Sequence, residues 1–347
     1  MRNGFLRRFT DASWAPGRDE LHAYLDALLA SGSPGGKEAA AFLAALSTRP
    51  LSVATVVDFV DYVQRRSPPR ALPGVRGAVN IVGTGGGRST FNISTAAALV
   101  AAAAGATVVK SGSRAYTSES GSIDVLRALN IPLPGHSDEL AMMVRETGIG
   151  FASEAHGSPL LRRLAASIHP LPWRDVAGFV NTIGPLLSPY AVTGQVIGVA
   201  RSEHFEVMSA AAHRLGARRT WLVHCSLGLD ELCSFAPNRA EWIDADAAPH
   251  RGGWPSGAGE LRELEGGDAA RNAEIVTGIL HGRLRGAARD TVVLNAAALL
   301  IVAGTAATIP GGMSQAADAI DSGAARARLE RITRWYPHPP SADAGAS

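Results

Sequence analysis

Apolar residues recur at helical spacing through residues 18–66. Leu21, Tyr24, Leu25, Leu28 and Leu29 share one helix face, and Ala39–Leu46 and Val53–Val63 repeat the pattern. Gly32-Ser-Pro-Gly-Gly36 and Pro50 interrupt it, and Ser67-Pro-Pro-Arg-Ala-Leu-Pro73 reads as a linker. Beyond the linker the period changes. Val79-Asn-Ile-Val82 runs into the glycine cluster Gly83–Gly87, then Asn92-Ile-Ser-Thr95, then the alanine-rich stretch Ala96–Ala104. That order predicts a buried strand, a turn, a helix start and a helix. Ala106–Lys110 predicts a second strand, Ser111–Ser122 a polar loop and Ile123–Leu129 a helix. In residues 156–175, His156, Arg162, Arg163, His169, Trp173 and Arg174 either face a ligand or coat a helical hairpin, the coat being favoured for most, and 180–189 reads as a turn with buried-strand character. Thr193–Ala200, Glu206–Leu215 and Thr220–His224 repeat strand, helix, strand, and helices follow at 272–280, 291–303 and about 316–334.

The alternation predicts an α/β protein. A small N-terminal helical domain, residues 1–73, completed by helices around 160–190, is expected beside a larger α/β domain, 74–335, with a mainly parallel central sheet. Residues 336–347 read as a disordered tail by composition.

Composition narrows the function classes. The chain has 347 residues, 46% hydrophobic and 18% charged, with a formal net charge of +2. So balanced a charge gives no bulk electrostatic case for nucleic acid or an anionic membrane. The pairs Arg7-Arg8, Arg65-Arg66, Arg162-Arg163 and Arg218-Arg219 read as solvated helix faces. Cys225 and Cys233 are the only cysteines, without CxxC spacing, which suits reduced thiols in a cytoplasm. Met1–Phe9 lacks the apolar core of a signal peptide, and Ala96–Ala104 is far shorter than the roughly 20 residues of a membrane span.

The candidate chemistry gathers at the strand ends. A glycine-rich turn lets backbone amides approach a ligand, and the positive end of a helix dipole lies behind it. Ser94 and Thr95 sit where side chains cap free amides. The stretch reads as a site for phosphate or another anion. Two named motifs fail: GxGxxG would need glycine at Arg88, and a P-loop would need lysine there. Lys110 and Arg114 add two cations. Asp230-Glu231, after the strand Thr220–His224, reads either as a solvated pair or as ligands for a hard divalent cation. Asn295, inside an apolar helix, is expected to bond backbone.

With these residues assembled, the chain resembles the anthranilate phosphoribosyltransferase family over nearly its whole length. Gly83-Thr-Gly-Gly86 and Phe91-Asn-Ile-Ser-Thr95 look like the family's phosphoribosyl pyrophosphate (PRPP) loop, and Lys110–Asp124 like its second signature, KHGNRAVSSKSGSAD. Asn181–Pro185 resembles its NLLGP turn, Gly228-Leu-Asp-Glu231 its acidic pair, and Arg289–Ala297 its RDAVLLNAA segment. The resemblance implies a homodimer joined through the helical part, PRPP as substrate, Mg2+ as cofactor and a place in tryptophan biosynthesis. Carried over, Gly83, Asn92, Ser94, Thr95, Lys110, Arg114, Ser118 and Ser122 would hold the phosphates and ribose. Thr84, Gly85, Gly86, Thr90, Ile93, Ser111 and Ser113 belong to the same substrate-binding set, and Ser94, Asp230 and Glu231 would hold the magnesium ions. No catalytic base is implied.

Departures concentrate on the acceptor side. The signature's histidine and asparagine become Ser111 and Ser113, its lysine becomes Glu119, and the acidic residue of GTGGDG is missing, leaving Gly87. The family's arginine for the anthranilate carboxylate has no clean match, and Trp173-Arg174-Asp175 lies nearby out of register. The implied activity is phosphoribosyl transfer to anthranilate or a related aromatic amine. A non-catalytic nucleic-acid-binding paralogue and a nucleoside phosphorylase-like enzyme are the alternatives.

Overall fold

The computed structural model describes residues 2–11, 13–30, 36–111, 121–152, 157–217, 219–244, 254 and 256–336. Its elements, in order, are α1 (Arg2–Phe9), α2 (Arg18–Ala30), α3 (Gly36–Thr48), α4 (Val53–Arg66), β1 (Val79–Gly83), α5 (Ile93–Ala103), β2 (Val108–Ser111), α6 (Ser122–Ala128), α7 (Ser137–Thr147) and β3 (Ile149–Ala152). Then follow α8 (Pro159–Ser167), α9 (Trp173–Val176), α10 (Gly178–Ile183), β4 (Gly194–Gly198), α11 (Ser202–Arg214), β5 (Thr220–Cys225), β6 (Asn238–Ile243), α12 (Ala269–Leu280), α13 (Ala287–Ala303), α14 (Ile309–Asp321) and α15 (Ala324–Thr333).

An N-terminal helical region thus precedes an α/β region, as the hydrophobic pattern predicts. The strands run in the order β3-β2-β1-β4-β5-β6. The pairs β1–β2, β2–β3 and β4–β5 are parallel, and β6 lies antiparallel on β5 at the edge. In a sheet of this order, ligands bind beyond the carboxyl ends of the strands where the winding reverses, between β1 and β4. That rule points to the glycine turn after β1.

The chain divides into two compact units. The first comprises Met1–Arg70, Ile81–Ser89 and Gly157–Ala258; the second, Ala71–Asn80, Thr90–His156 and Gly259–Ser347. In the first unit one continuous core runs from Phe5, Phe42 and Phe59 through Phe179 and Ile183 to Phe205, Met208 and Leu222. Ser52 caps α4, accepting from Thr55 N–H at 3.2 Å. Ser47, on α3, donates to Val176 O at 2.8 Å and accepts from Phe179 N–H at 3.0 Å, so one hydroxyl ties α9 and α10 to α3. In the second unit α13 is buried along nearly its whole length, as an all-round apolar helix must be. A Cβ on Gly312 would stand 3.1 Å from Ala297, so α14 crosses α13 closely because both positions are small.

Three expectations change. Residues 180–189 are not strand-like: Phe179, Val180 and Ile183 point one face of α10 into the core, and a 3-10 turn follows at Gly184–Leu186. The helix expected at 316–334 is two helices, broken at Gly323, whose φ is +82°. Ser94 and Thr95 are not caps, because α5 starts at Ile93 with Asn92 as its N-cap residue. The tail from 337 onward lies outside the described residues. Among the described residues no helix is long and apolar enough to cross a membrane.

Ser47→Ala removes the hydroxyl and strands the Phe179 amide. A loss of about 1–3 kcal/mol is expected in urea unfolding monitored by circular dichroism. An unchanged midpoint would show that the α3–α10 tie carries no stability.

Candidate functional site

In the first unit the turn after β1 is clamped to the ends of β4 and β5. Thr84 N–H donates to Gly198 O at 2.9 Å, and the buried Thr84 hydroxyl accepts from Ala200 N–H at 3.1 Å. Gly85 and Gly86 hold φ of +65° and +78°, a left-handed pair that non-glycine residues seldom adopt. Arg88 fastens the far end: its N–H donates to Gly228 O at 3.2 Å and its Nε to Leu227 O at 3.0 Å.

Onto this turn folds the segment after β5. Asp230 Oδ2 accepts from Gly85 N–H at 2.8 Å. A Cβ on Gly83 would fall 2.0 Å from that same oxygen, and one on Gly198 only 1.5 Å from Asp230 O. Gly87 would meet Gly228 O at 2.4 Å if it carried a Cβ. Asp230 can therefore occupy its place only because Gly83 and Gly198 lack side chains. Half-buried Glu231 follows it. His224 bonds Val199 O through Nδ1 at 2.7 Å, another tie between the ends of β5 and β4.

The acidic pair is bracketed by two thiols. Cys225 ends β5, Cys233 follows Glu231 by two residues, and both are fully buried and free. They share a hydrogen bond, which lowers Cys233; the same bond, and then burial, push Cys225 up. Asn238 on β6 sets Cys233, accepting from its N–H at 2.8 Å and donating to its carbonyl at 2.7 Å.

In the second unit the start of α5 is braced from 264–272. Phe91 N–H donates to Leu264 O at 3.0 Å. Asn92 Oδ1 accepts from Asn272 Nδ2 at 3.1 Å, and Asn272 Oδ1 accepts from Gly267 N–H at 2.8 Å. Gly266 has no room for a Cβ, which would lie 2.9 Å from both Phe91 N and Thr90 O. Half-buried Ser94 and fully buried Thr95 occupy the first turn beside Ile93, and Thr95 Oγ1 has no hydrogen-bond partner among the described residues. Lys110, 3% exposed, and Ser111 end β2. Buried Asn80 holds Ser111, accepting from its N–H at 3.1 Å. Ser122 opens α6, where Gly121 N–H donates to Asp124 at 3.2 Å.

Ser113, Arg114, Ser118, Glu119, His156 and Arg218 lie outside the described residues. Trp173 bonds Asn181 Oδ1 through Nε1 at 3.1 Å, while Arg174 is exposed and pairs with its neighbour Asp175. Arg65 and Arg66 are neutralised by Asp61 and Asp26. Asn295 bonds Thr291 O at 2.8 Å, backbone as expected. Sequence reasoning missed Asn80, Asn238 and Asn272; the available signal was an isolated amide inside an apolar or turn-forming run.

The donor set suits magnesium. Among the described residues no three His, Cys, Asp or Glu side chains cluster as a metal cage. Two adjacent carboxylates are what a Mg2+ ion takes from protein when substrate phosphates supply further oxygens.

A family model described as "Glycosyl transferase family, a/b domain" matches residues 76–326. The anthranilate phosphoribosyltransferase of Methylorubrum extorquens is 41% identical over 329 residues, covering 92% of this chain and 95% of its own. That of Rubrobacter xylanophilus is 37% identical over 308 residues, with 87% and 89% covered. Among solved structures, the anthranilate phosphoribosyltransferase (TrpD) of Thermus thermophilus superposes with a TM-score of 0.77 at 30% identity, covering 94% of this chain and 98% of its own. The Saccharomyces cerevisiae enzyme in complex with PRPP and Mg gives 0.77 at 23% identity, with 95% and 96% covered, a likeness of fold.

Gly83→Ala should expel Asp230 and destabilise the chain by about 1–3 kcal/mol, the range of an overpacked site. Gly17→Ala, where the added methyl meets nothing within 4 Å, should stay within about 0.5 kcal/mol. Equal melting temperatures for the two variants would refute the close approach of Asp230.

Proposed function

The chain belongs to the anthranilate phosphoribosyltransferase family, and from that membership we infer that it transfers 5-phosphoribosyl from PRPP to an aromatic amine and releases pyrophosphate. Anthranilate is the acceptor named in its relatives. The observation that carries the reading is the seating of Asp230 against the Gly83–Gly87 turn, because it gives the turn's amides and a pair of hard oxygen donors a fixed place.

In such a transfer the bond from the anomeric carbon to pyrophosphate lengthens as positive charge grows on the ribose, and the amine lone pair closes on that carbon. The costly change is negative charge gathering on pyrophosphate. Preoriented amides and fixed cations answer it without reorganising in the transition state. Gly83, Thr84, Gly85 and Gly86 would present amides to phosphate, and the first turn of α5, with Asn92, Ile93, Ser94 and Thr95, adds the positive end of a helix dipole. Lys110 supplies a charge held at the end of a core strand. Thr90, Ser111, Ser113, Arg114, Ser118 and Ser122 complete the substrate-binding set. Ser94, Asp230 and Glu231 would hold Mg2+, which supplies Lewis-acid stabilisation of the leaving group when bound. The arylamine is nucleophilic through its own lone pair, so no strong base is required of the protein.

The same reading carries the small helical domain of residues 1–73 with helices from 160–190, a homodimer joined through it and a cytoplasmic place of action. No observation favours nucleic-acid binding or phosphorolysis.

The test is PRPP-dependent pyrophosphate release across a panel of aromatic amines, anthranilate first, with a Mg2+ series. Asp230→Asn combined with Glu231→Gln should lower turnover at least about 100-fold while circular dichroism stays native. Unaltered turnover would remove the metal assignment. Failure of the wild-type chain to consume PRPP with any amine would overturn the function.

A further inference from the structure

Cys225 and Cys233, both fully buried, stand at the two ends of the segment that carries Asp230 and Glu231, and both are seated against Asn238 of β6. Phosphoribosyl transfer has no use for a thiol, although the pair flanks the two acids that the proposed reaction uses. Its placement is nonetheless built from several directions. Cys225 N–H donates to Leu229 O at 3.4 Å, and Cys225 O accepts from Gly228 N–H at 2.9 Å, folding the segment back on the end of β5. Gly228, at φ +77°, makes that reversal. Asn238 opposes Cys225 in the β5–β6 register and grips the backbone of Cys233 through both its N–H and its carbonyl. One residue on β6 therefore pairs with the first cysteine and grips the backbone of the second.

We propose that Cys225 and Cys233 are an oxidisable dithiol, a modification site for a small peroxide, whose disulfide shifts the Asp230–Glu231 segment and reversibly lowers its grip on a divalent cation. The chemistry balances. One thiol sulfur attacks a peroxide oxygen, the O–O bond breaks, and the departing hydroxide leaves as water with the thiol proton, giving a sulfenic acid. The second thiol attacks that sulfur, the S–S bond forms, and a second water leaves. Two thiols lose two electrons, and one peroxide becomes two waters.

Closure must move Glu231 because the segment has no slack. A disulfide holds its two sulfurs at about 2.05 Å, a separation that free thiols do not reach. Asp230 O already presses on Gly198 so closely that one added carbon there would lie 1.5 Å away, and Asp230 Oδ2 is tied to Gly85 N–H. With Asp230 wedged, the contraction falls on Glu231 and Leu232, the only residues between it and Cys233. A displacement of about 1 Å in a binding group is enough for a large loss of rate. Formation of the bond stands on the placement of the two cysteines alone; its effect on turnover rests on the phosphoribosyltransferase reading.

Two readouts separate these. The full chain is treated with hydrogen peroxide, quenched with iodoacetamide and digested with trypsin, which releases Thr220–Arg239 as one peptide carrying both cysteines. The expected peptide is unalkylated and lighter by two hydrogens, and dithiothreitol restores both alkylation sites. In parallel, the Mg2+ concentration for half-maximal pyrophosphate release should rise about tenfold or more on oxidation and return on reduction. Cys225→Ala and Cys233→Ala, each checked for a native circular dichroism spectrum, should lose the peroxide response. Two alkylatable thiols after peroxide, sulfinic acids without a cross-link, or a bridge between two chains would overturn the site. A disulfide that forms with unchanged Mg2+ dependence would overturn the coupling. A chain that forms the disulfide but never turns over PRPP would overturn the coupling too, through failure of the function reading, and leave the dithiol standing.

Discussion

The architecture of the site depends on one close approach: a carboxylate from the segment after β5 occupies the space that a side chain on the last residue of β1 would fill. Withdrawing a carboxylate from water is costly unless charge-assisted hydrogen bonds replace its hydration. The Gly85 amide supplies one, and the left-handed pair Gly85-Gly86 turns the backbone so that it can. The glycines at 83, 87 and 198 are then no more interchangeable than catalytic groups. At each, a side chain would collide with Asp230 or with the Gly228 carbonyl of the same segment.

The same constraint gives meaning to Gly87. The turn closes on a glycine that abuts Gly228 O, with Arg88 tied to the neighbouring carbonyl. Negative charge in this unit's turn region therefore comes from Asp230 and Glu231, held by the β5 end, and not from the turn itself. The start of α5 in the other unit follows a similar plan. Asn272 and Gly266 fix Asn92 and Phe91 by backbone fit and amide bonds, leaving the small hydroxyl residues Ser94 and Thr95 in the first turn.

Much of the fold was legible because buried parallel strands read as short apolar runs and exposed helix faces as interrupted ones. β1, β2, β4 and β5 announced themselves in that way. β3 did not: Ile149-Gly-Phe-Ala152 is short, and Gly150 is there to admit Leu140 and Val144 of α7, a reason visible only in three dimensions. The run at 180–189 is ambiguous in sequence because an apolar stretch of that length fits either strand or helix; the core packing of Phe179, Val180 and Ile183 decides it. The break at Gly323 could have been read, since a glycine ending a helix is a known stop signal. At the site, residue types were legible and partnerships were not. Nothing local in the chain links Asp230 to Gly83, or Asn238 to Cys233, and buried asparagines serving as braces look like ordinary polar residues until their partners are seen.

The most direct test of the central claim is the position of a metal. A crystal of the chain grown with Mn2+ and pyrophosphate, with data collected at the manganese edge, would locate the ion by anomalous scattering. The account predicts a peak within bonding distance of an Asp230 or Glu231 carboxylate oxygen, with Asp230 still at the Gly85 amide. A peak elsewhere, or an Asp230 side chain turned away from Gly83, would contradict it.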